Sequence, residues 1–137
     1  MSDVELKALM DRNEIIDLFT RYATAIDQRD RELLLSCFVD DLEVDIEGVD
    51  SPGGAQGWAD MALAAVGVYE GTHHIITNHD IRIKGDRATG TAYLQAQHWN
   101  PDSQHLVGGY YQNDFQRTDR GWRISRLGLK MTWSRQD

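Results

Sequence analysis

The sequence predicts an α+β fold in which a strongly curved antiparallel sheet wraps over N-terminal helices. Two observations predict it. Apolar residues recur at three- and four-residue steps in the first part of the chain and alternate with polar ones in the second, so helices come first and strands after. The joints between the later segments are short and turn-forming, which makes those strands antiparallel neighbours in a meander.

Residues 3–27 read as one amphipathic helix, with Leu6, Leu9, Ile15, Ile16, Leu18, Phe19, Tyr22, Ala23 and Ile26 on its apolar stripe. Asp30 can cap a second helix through RELLLSCFV. LEVDIEG alternates apolar and acidic residues and fits a strand with one wet face. DSPGGAQG is a loop by its Ser, Pro and Gly content, and WADMALAAV suits a short third helix. Strands follow near 72–84, 88–99, 105–118 and 121–134, joined by KGD, NPDSQ and TDRG. On the last of them Leu127, Leu129, Met131 and Trp133 share one face, and Arg126 and Lys130 the other. Long strands curved over helices leave a pocket, with that apolar row as the face available to line it.

With 137 residues, 41% of them hydrophobic, residues 1–137 read as one domain around one core. The balance of 14 Lys and Arg against 22 Asp and Glu gives a formal charge of -8 without any basic cluster, which argues against a nucleic-acid partner. No apolar run approaches the roughly 20 residues that span a bilayer, and MSDVELKALMDR lacks the basic start and apolar stretch of a signal peptide. The expectation is a soluble cytoplasmic protein with no membrane partner. A single cysteine, Cys37, excludes an internal disulfide, and within LLLSCF it reads as a small buried hydrophobe.

Three of the five histidines fall in EGTHHIITNHDIRIKGD. His73 and His74 are adjacent in a strand, so they point to opposite faces. His74 shares parity with Asn78, and His73 with His79, Ile81 and Ile83, unless a bulge breaks the phase. His73 and His79 lie about 20 Å apart in an extended strand, too far to ligate one ion, and no metal site is expected. His79 and His105 are expected at solvent, and His98, which ends an alternating strand with Leu94 and Ala96, at a polar rim. Asp27 lies in line with Ala23, Thr20 and Ile16 at the margin of the apolar stripe. It either ends the helix, pairing with Arg21 or Arg29, or borders the pocket. Tyr22, near the centre of the stripe, is placed for packing or for the pocket.

The runs RNEIIDLFTRYATAIDQRDRELLLSCFVDD, THHIITNHDIRIKGDRATGTAYLQAQHW and GGYYQNDFQRTDRGWRISRLGLKMTW resemble the SnoaL-like branch of the nuclear transport factor 2-like superfamily, over about residues 11–134. The resemblance implies a cone formed by a curved antiparallel sheet and three helices, with the ligand inside. Within the branch the chain is similar to scytalone dehydratase, bile acid 7α-dehydratase and hexachlorocyclohexane dehydrochlorinase. These share an Asp late in the first helix and a His on the strand after the third, forming an acid/base dyad. AIDQRD places Asp27 on the Asp and THHIITN places His74 on the His; a tyrosine five residues before the Asp in the bile acid enzyme corresponds to Tyr22.

An elimination needs a base for a carbon-bound proton and often an acid for the leaving group, and one histidine can serve as both in turn. Tyr22, Asn78 and Tyr111 are candidate neutral donors for developing negative charge. Leu94, His98, Leu127, Met131 and Trp133 complete the expected substrate-binding set. No basic residue is evident for a departing halide, which argues against dehydrochlorination. The expectation is a cofactor-independent lyase or isomerase, first of all a dehydratase, acting on a hydrophobic polycyclic, steroid-like or polyketide-like molecule. The rival reading is a non-catalytic carrier of an apolar ligand. An outer sheet face carrying Ile81 and Ile83 would leave an apolar patch, hence a homodimer or homotrimer.

Overall fold

A 26-residue helix, α1 (Asp3–Gln28), opens the fold, its first turn capped by the Ser2 hydroxyl, which accepts from the Glu5 N–H at 3.1 Å. The computed structural model describes residues 1–50 and 52–137; Ser51, within the DSPGGAQG stretch, lies outside them. After α1 come α2 (Arg31–Leu35), β1 (Phe38–Ile46), α3 (Gly54–Val66), β2 (Gly71–Lys84), β3 (Arg87–Asn100), β4 (Ser103–Thr118) and β5 (Gly121–Gln136). Asp30 caps α2 as expected, accepting from the Leu33 N–H at 3.1 Å. The second helix is nevertheless shorter than RELLLSCFV. Ser36 donates its hydroxyl to the Leu33 carbonyl at 2.6 Å, and Phe38 already pairs with Ile124 of β5, so sheet pairing takes over where the helical pattern would have run on.

The sheet runs β1-β5-β4-β3-β2, with β2 at one edge. The meander pairs are antiparallel as expected, and β1, whose pairing the sequence leaves open, lies parallel to β5 at the other edge. The hydrophobic face of α1 rests on the sheet: Ile15, Leu18 and Phe19 are buried together with Phe115, Trp122, Ile124 and Leu127. Cys37 is buried in the same core, and burial pushes its thiol up to about 12, so it stays an unreactive apolar filler.

Bulges decide which residues face the helices. Between Thr77 and Asp80 of β2 the register with β3 shifts, so that Asn78 and His79 together oppose Ala92 alone. Asn78 takes up the extra residue in a left-handed conformation at φ 57°. The alternation therefore resets, and His79, Ile81 and Ile83 fall on the helix-covered face with His74 instead of on the outer face with His73. Three expectations are corrected by this one irregularity. Asn78 is exposed, with Thr77 donating to its Oδ1 at 2.6 Å, and does not reach the interior. His79 is not a solvent residue; its ring meets the edge of Phe19 with centroids 5.3 Å apart, and its Nε2 is buried without a partner. Ile81 and Ile83 pack on the core and cannot form an outer patch.

A second bulge, at Thr132, does the same to β5. Gly109 pairs with Met131 while Gly108 pairs with Trp133, so Trp133 leaves the Leu127–Leu129–Met131 face and lies on the outside of the sheet. Its indole occupies the space above Gly108, where any Cβ would collide with it at 2.1 Å.

At the N-terminal end of α1 the buried Asp11 accepts both Nη atoms of Arg117 at 2.8 Å and the Trp122 indole N–H at 3.1 Å, which ties helix to sheet. The Arg117 guanidinium holds the Asp11 carboxyl far below the usual carboxylate range, against the opposing effect of burial. Asp11→Asn should therefore destabilise the fold by about 2 kcal/mol, somewhat under the 3–5 kcal/mol of a fully buried pair because 27% of the Arg117 side chain remains in water. Urea unfolding measures it. Because the folded-state pKa is depressed, this stabilisation is complete above the unfolded carboxylate's value of about 3.9 and fades as pH falls below it, so the gap between wild type and variant should narrow in acid.

Candidate active site

The last turn of α1 meets the edge strand β2, and the carboxylate of Asp27 is where they join. His74 Nδ1 lies 2.7 Å from Asp27 Oδ1, the His74 backbone N–H donates to Oδ2 at 2.8 Å, and the Thr72 hydroxyl donates to Oδ1 at 3.0 Å. Burial alone would raise this carboxyl, but the His74 ring and backbone and Thr72 outweigh it and hold Asp27 below its ordinary value. An ionised carboxylate only accepts, so the neutral ring carries its proton on Nδ1 and presents the lone pair of Nε2. No protein group among the described residues bonds that Nε2.

Arg29 holds this corner together. It ends α1 in a left-handed conformation, φ 58°, and its backbone N–H closes the last turn on Ala25 and Ile26. Its Nη1 donates to Thr72 Oγ1 at 2.8 Å and to the Asp27 carbonyl at 3.1 Å, while Nη2 reaches the Val66 carbonyl at the end of α3 at 3.0 Å. The guanidinium thus never touches the Asp27 carboxylate, and the pairing with Arg29 or Arg21 that the sequence allowed is not formed.

The His74 ring opens onto a cavity of about 160 Å³ enclosed by helices α1 and α3 and by the covered face of the sheet. Tyr22, Trp58, Leu94, His98 and Tyr111 share its wall with His74, and Met131 sits towards its exposed side. No Lys or Arg is among the described lining residues. Burial raises both phenols well above their ordinary range, so Tyr22 and Tyr111 remain neutral donors. The Trp58 indole lies near enough to the Tyr22 hydroxyl to oppose that shift a little, yet its Nε1 is buried without a hydrogen-bond partner. A larger open groove of about 680 Å³ lies on the other side of Asp27, bordered by Thr24, His73 and Trp99, but His74 and the tyrosines do not line it.

His98 is drawn further in than a rim position. Its ring centroid is 6.0 Å from that of His74 and 4.9 Å from that of Tyr69, and its Nδ1 faces the His105 carbonyl at 3.1 Å. A carbonyl only accepts, so neutral His98 carries its proton on Nδ1. Burial lowers its pKa, the neighbouring histidines add to this, and the His105 carbonyl opposes it. His105, expected at solvent, is half-buried with its ring 5.5 Å from His98. Leu127 is wholly buried in the core and does not line the cavity. Among the described residues no three His, Cys, Asp or Glu side chains come together as a metal would require, and no helix is long and apolar enough to cross a membrane.

Thr72 and Trp58 escaped the sequence reading, and Arg29 entered it only as a possible partner of the Asp27 carboxylate. Thr72 shares strand parity with His74 and could have been found from it; Arg29, at a left-handed position that favours glycine, carried no such signal.

A family model described as SnoaL-like domain matches residues 7–128. An uncharacterized protein of Mycobacterium tuberculosis is 32% identical over 139 residues, covering 91% of this chain and 88% of the relative. Hexachlorocyclohexane dehydrochlorinase 1 of Sphingobium indicum is 28% identical, covering 97% of this chain and 88% of that one. A crystal structure of a Kribbella flavida protein superposes with a TM-score of 0.85 at 35% identity, over 93% of this chain and 95% of that one.

Removing the Thr72 hydroxyl in Thr72→Val takes a donor from ionised Asp27 without changing side-chain volume much. A hydrogen bond to the charged form favours it, so losing this one should raise the Asp27 pKa. Carboxyl carbon shifts followed by NMR against pH would show it, and an unmoved titration would remove Thr72 from the network.

Proposed function

The chain belongs to the SnoaL-like domain family, and from that membership together with the cavity's chemistry we propose that it is a cofactor-independent lyase or isomerase, in the first instance a dehydratase, using His74 as base and Asp27 as its orienter. One observation carries the reading: a buried carboxylate 2.7 Å from His74 Nδ1, with Nε2 left free at an apolar cavity. Nε2 takes a proton from a substrate carbon. Asp27 then stabilises the imidazolium, whose proton can pass to a departing group. The neutral hydroxyls of Tyr22 and Tyr111, both at the cavity wall, are the donors available to the charge that develops on the substrate. His98, with Nε2 unprotonated when neutral, can accept or relay a proton at the cavity's open side. Leu94 and Met131 supply the apolar contact that selects a hydrophobic ligand.

The dehydrochlorinase relative is named for an elimination. For this chain, loss of water suits the cavity better than loss of chloride, because no cation lines it among the described residues to receive a halide.

The test is deuterium exchange at carbon in a cyclic ketone incubated in heavy water and read by mass spectrometry. Wild type should catalyse it; His74→Ala and Asp27→Asn should each slow it on the order of a hundredfold or more while still binding the ketone. A carrier would return the ketone unlabelled, and either variant retaining more than about a tenth of the wild-type rate would end the case for the dyad.

Self-association belongs to the same reading, on a different surface from the one the strand alternation suggested. Ile75, Tyr93 and Trp133 are 58%, 59% and 46% exposed and line one groove on the outer sheet face. A homodimer or homotrimer through this face should appear in light scattering at micromolar concentration, and Trp133→Glu should dissociate it. A wild-type species of only 15.6 kDa would exclude it.

A further inference from the structure

The acid–base groups leave one polar atom of the cavity unexplained. Trp58 is 8% exposed, it lines the cavity from α3, and its Nε1–H has no acceptor. Nitrogen and proton here form a donor that cannot accept, so no tautomer can relieve it. A buried donor left unpaired costs stability, and folds rarely retain one without a reason. Beside it the Tyr22 hydroxyl is close enough to feel the indole N–H, but no hydrogen bond joins the two. An unpaired donor at this wall calls for an acceptor that is not part of the chain.

The size of the space limits what brings that acceptor. About 160 Å³ is close to the roughly 150 Å³ of a protein cavity that accommodates one benzene ring. The enclosed part therefore takes a single six-membered ring, and any further ring of a larger molecule projects past Met131, which is 52% exposed. We propose that Trp58 is a specificity-determining residue whose indole N–H selects a ligand ring carrying an acceptor oxygen over one of the same shape without it. This rests on the preceding reading only in taking the cavity beside His74 as the ligand site. The oxygen lies at the α3 wall, which leaves the opposite edge of the ring to His74. Trp58 thus fixes which ring carbon meets the base.

The probes are cyclohexanone and methylenecyclohexane, which differ in having an oxygen or a CH₂ at one ring carbon. The chain has four tryptophans, so its nitrogen-15 indole NMR spectrum holds four side-chain signals, and Trp58→Phe identifies the one that matters. In the wild type that signal should move downfield on titration with the ketone and stay nearly still with the alkene. The wild type's preference for ketone over alkene, measured as the ratio of dissociation constants, should fall about tenfold in Trp58→Phe, the equivalent of one hydrogen bond. Equal indole shifts with both probes, or an unchanged ratio in Trp58→Phe, would overturn the assignment. The shift should persist in His74→Ala, which lacks the base but keeps the indole, so a failure of the catalytic reading leaves this measurement intact.

Discussion

The Asp27 carboxylate is the contact on which the site depends, because it solves a backbone problem and a chemical one together. β2 is an edge strand, and an edge presents unpaired N–H groups that must be covered. Asp27 covers one of them, the N–H of His74, with Oδ2, and uses Oδ1 for the ring of the same residue and for Thr72. Main chain and side chain of His74 are thereby held by a single group, so the ring cannot turn without giving up its bond to Asp27. Arg29 extends the constraint to α3 through the Val66 carbonyl, which places the cavity's second helical wall relative to the dyad.

Phase along the strands is the second constraint. A 14-residue strand such as β2 cannot keep one face against both the end and the middle of α1 while the sheet curls. The extra residue at Asn78–His79 bends the strand and resets its alternation, so Thr72, His74 and Ile76 face inward before it, and His79, Ile81 and Ile83 after it. The bulge at Thr132 plays the corresponding part in β5, keeping Met131 at the cavity and turning Trp133 outward. Curvature and cavity have the same origin.

This explains what could be read from the sequence and what could not. The helix period of α1, the capping by Asp30, the turns of the meander and the inward set before each bulge are local signals, and they were legible. The proximity of Asp27 and His74 was not a matter of periodicity; it came from the likeness of AIDQRD and THHIITN to family motifs. Asn78, Ile81, Ile83 and Trp133 were misplaced because a bulge leaves no mark beyond the residue that tolerates it, and asparagine at a left-handed position is a faint one. Parallel pairing of β1 with β5 joins segments far apart in the chain, which no local pattern encodes. Trp58 was hidden for another reason: in an alanine-rich helix its bulk reads as packing, and only the missing acceptor separates it from packing.

Asp11 and Asp27, two of the aspartates of α1, show how partner choice separates structure from chemistry. Asp11 and Asp27 lie near opposite ends of the helix, about 24 Å apart at the α-helical rise, and each pins it to the sheet. Asp11 is held by the fork of Arg117, a cation that does not give up its proton, so the pair offers no change of charge near neutral pH. Asp27 is held by an imidazole, whose charge can change with the carboxylate already in place to stabilise the charged form. An arginine in place of His74 could pair with the carboxylate but would leave no base beside it. The position of Arg29 follows the same logic: it strengthens Asp27 through Thr72 and the backbone, and by staying off the carboxylate it leaves the imidazole as the only ring cation that Asp27 has to stabilise.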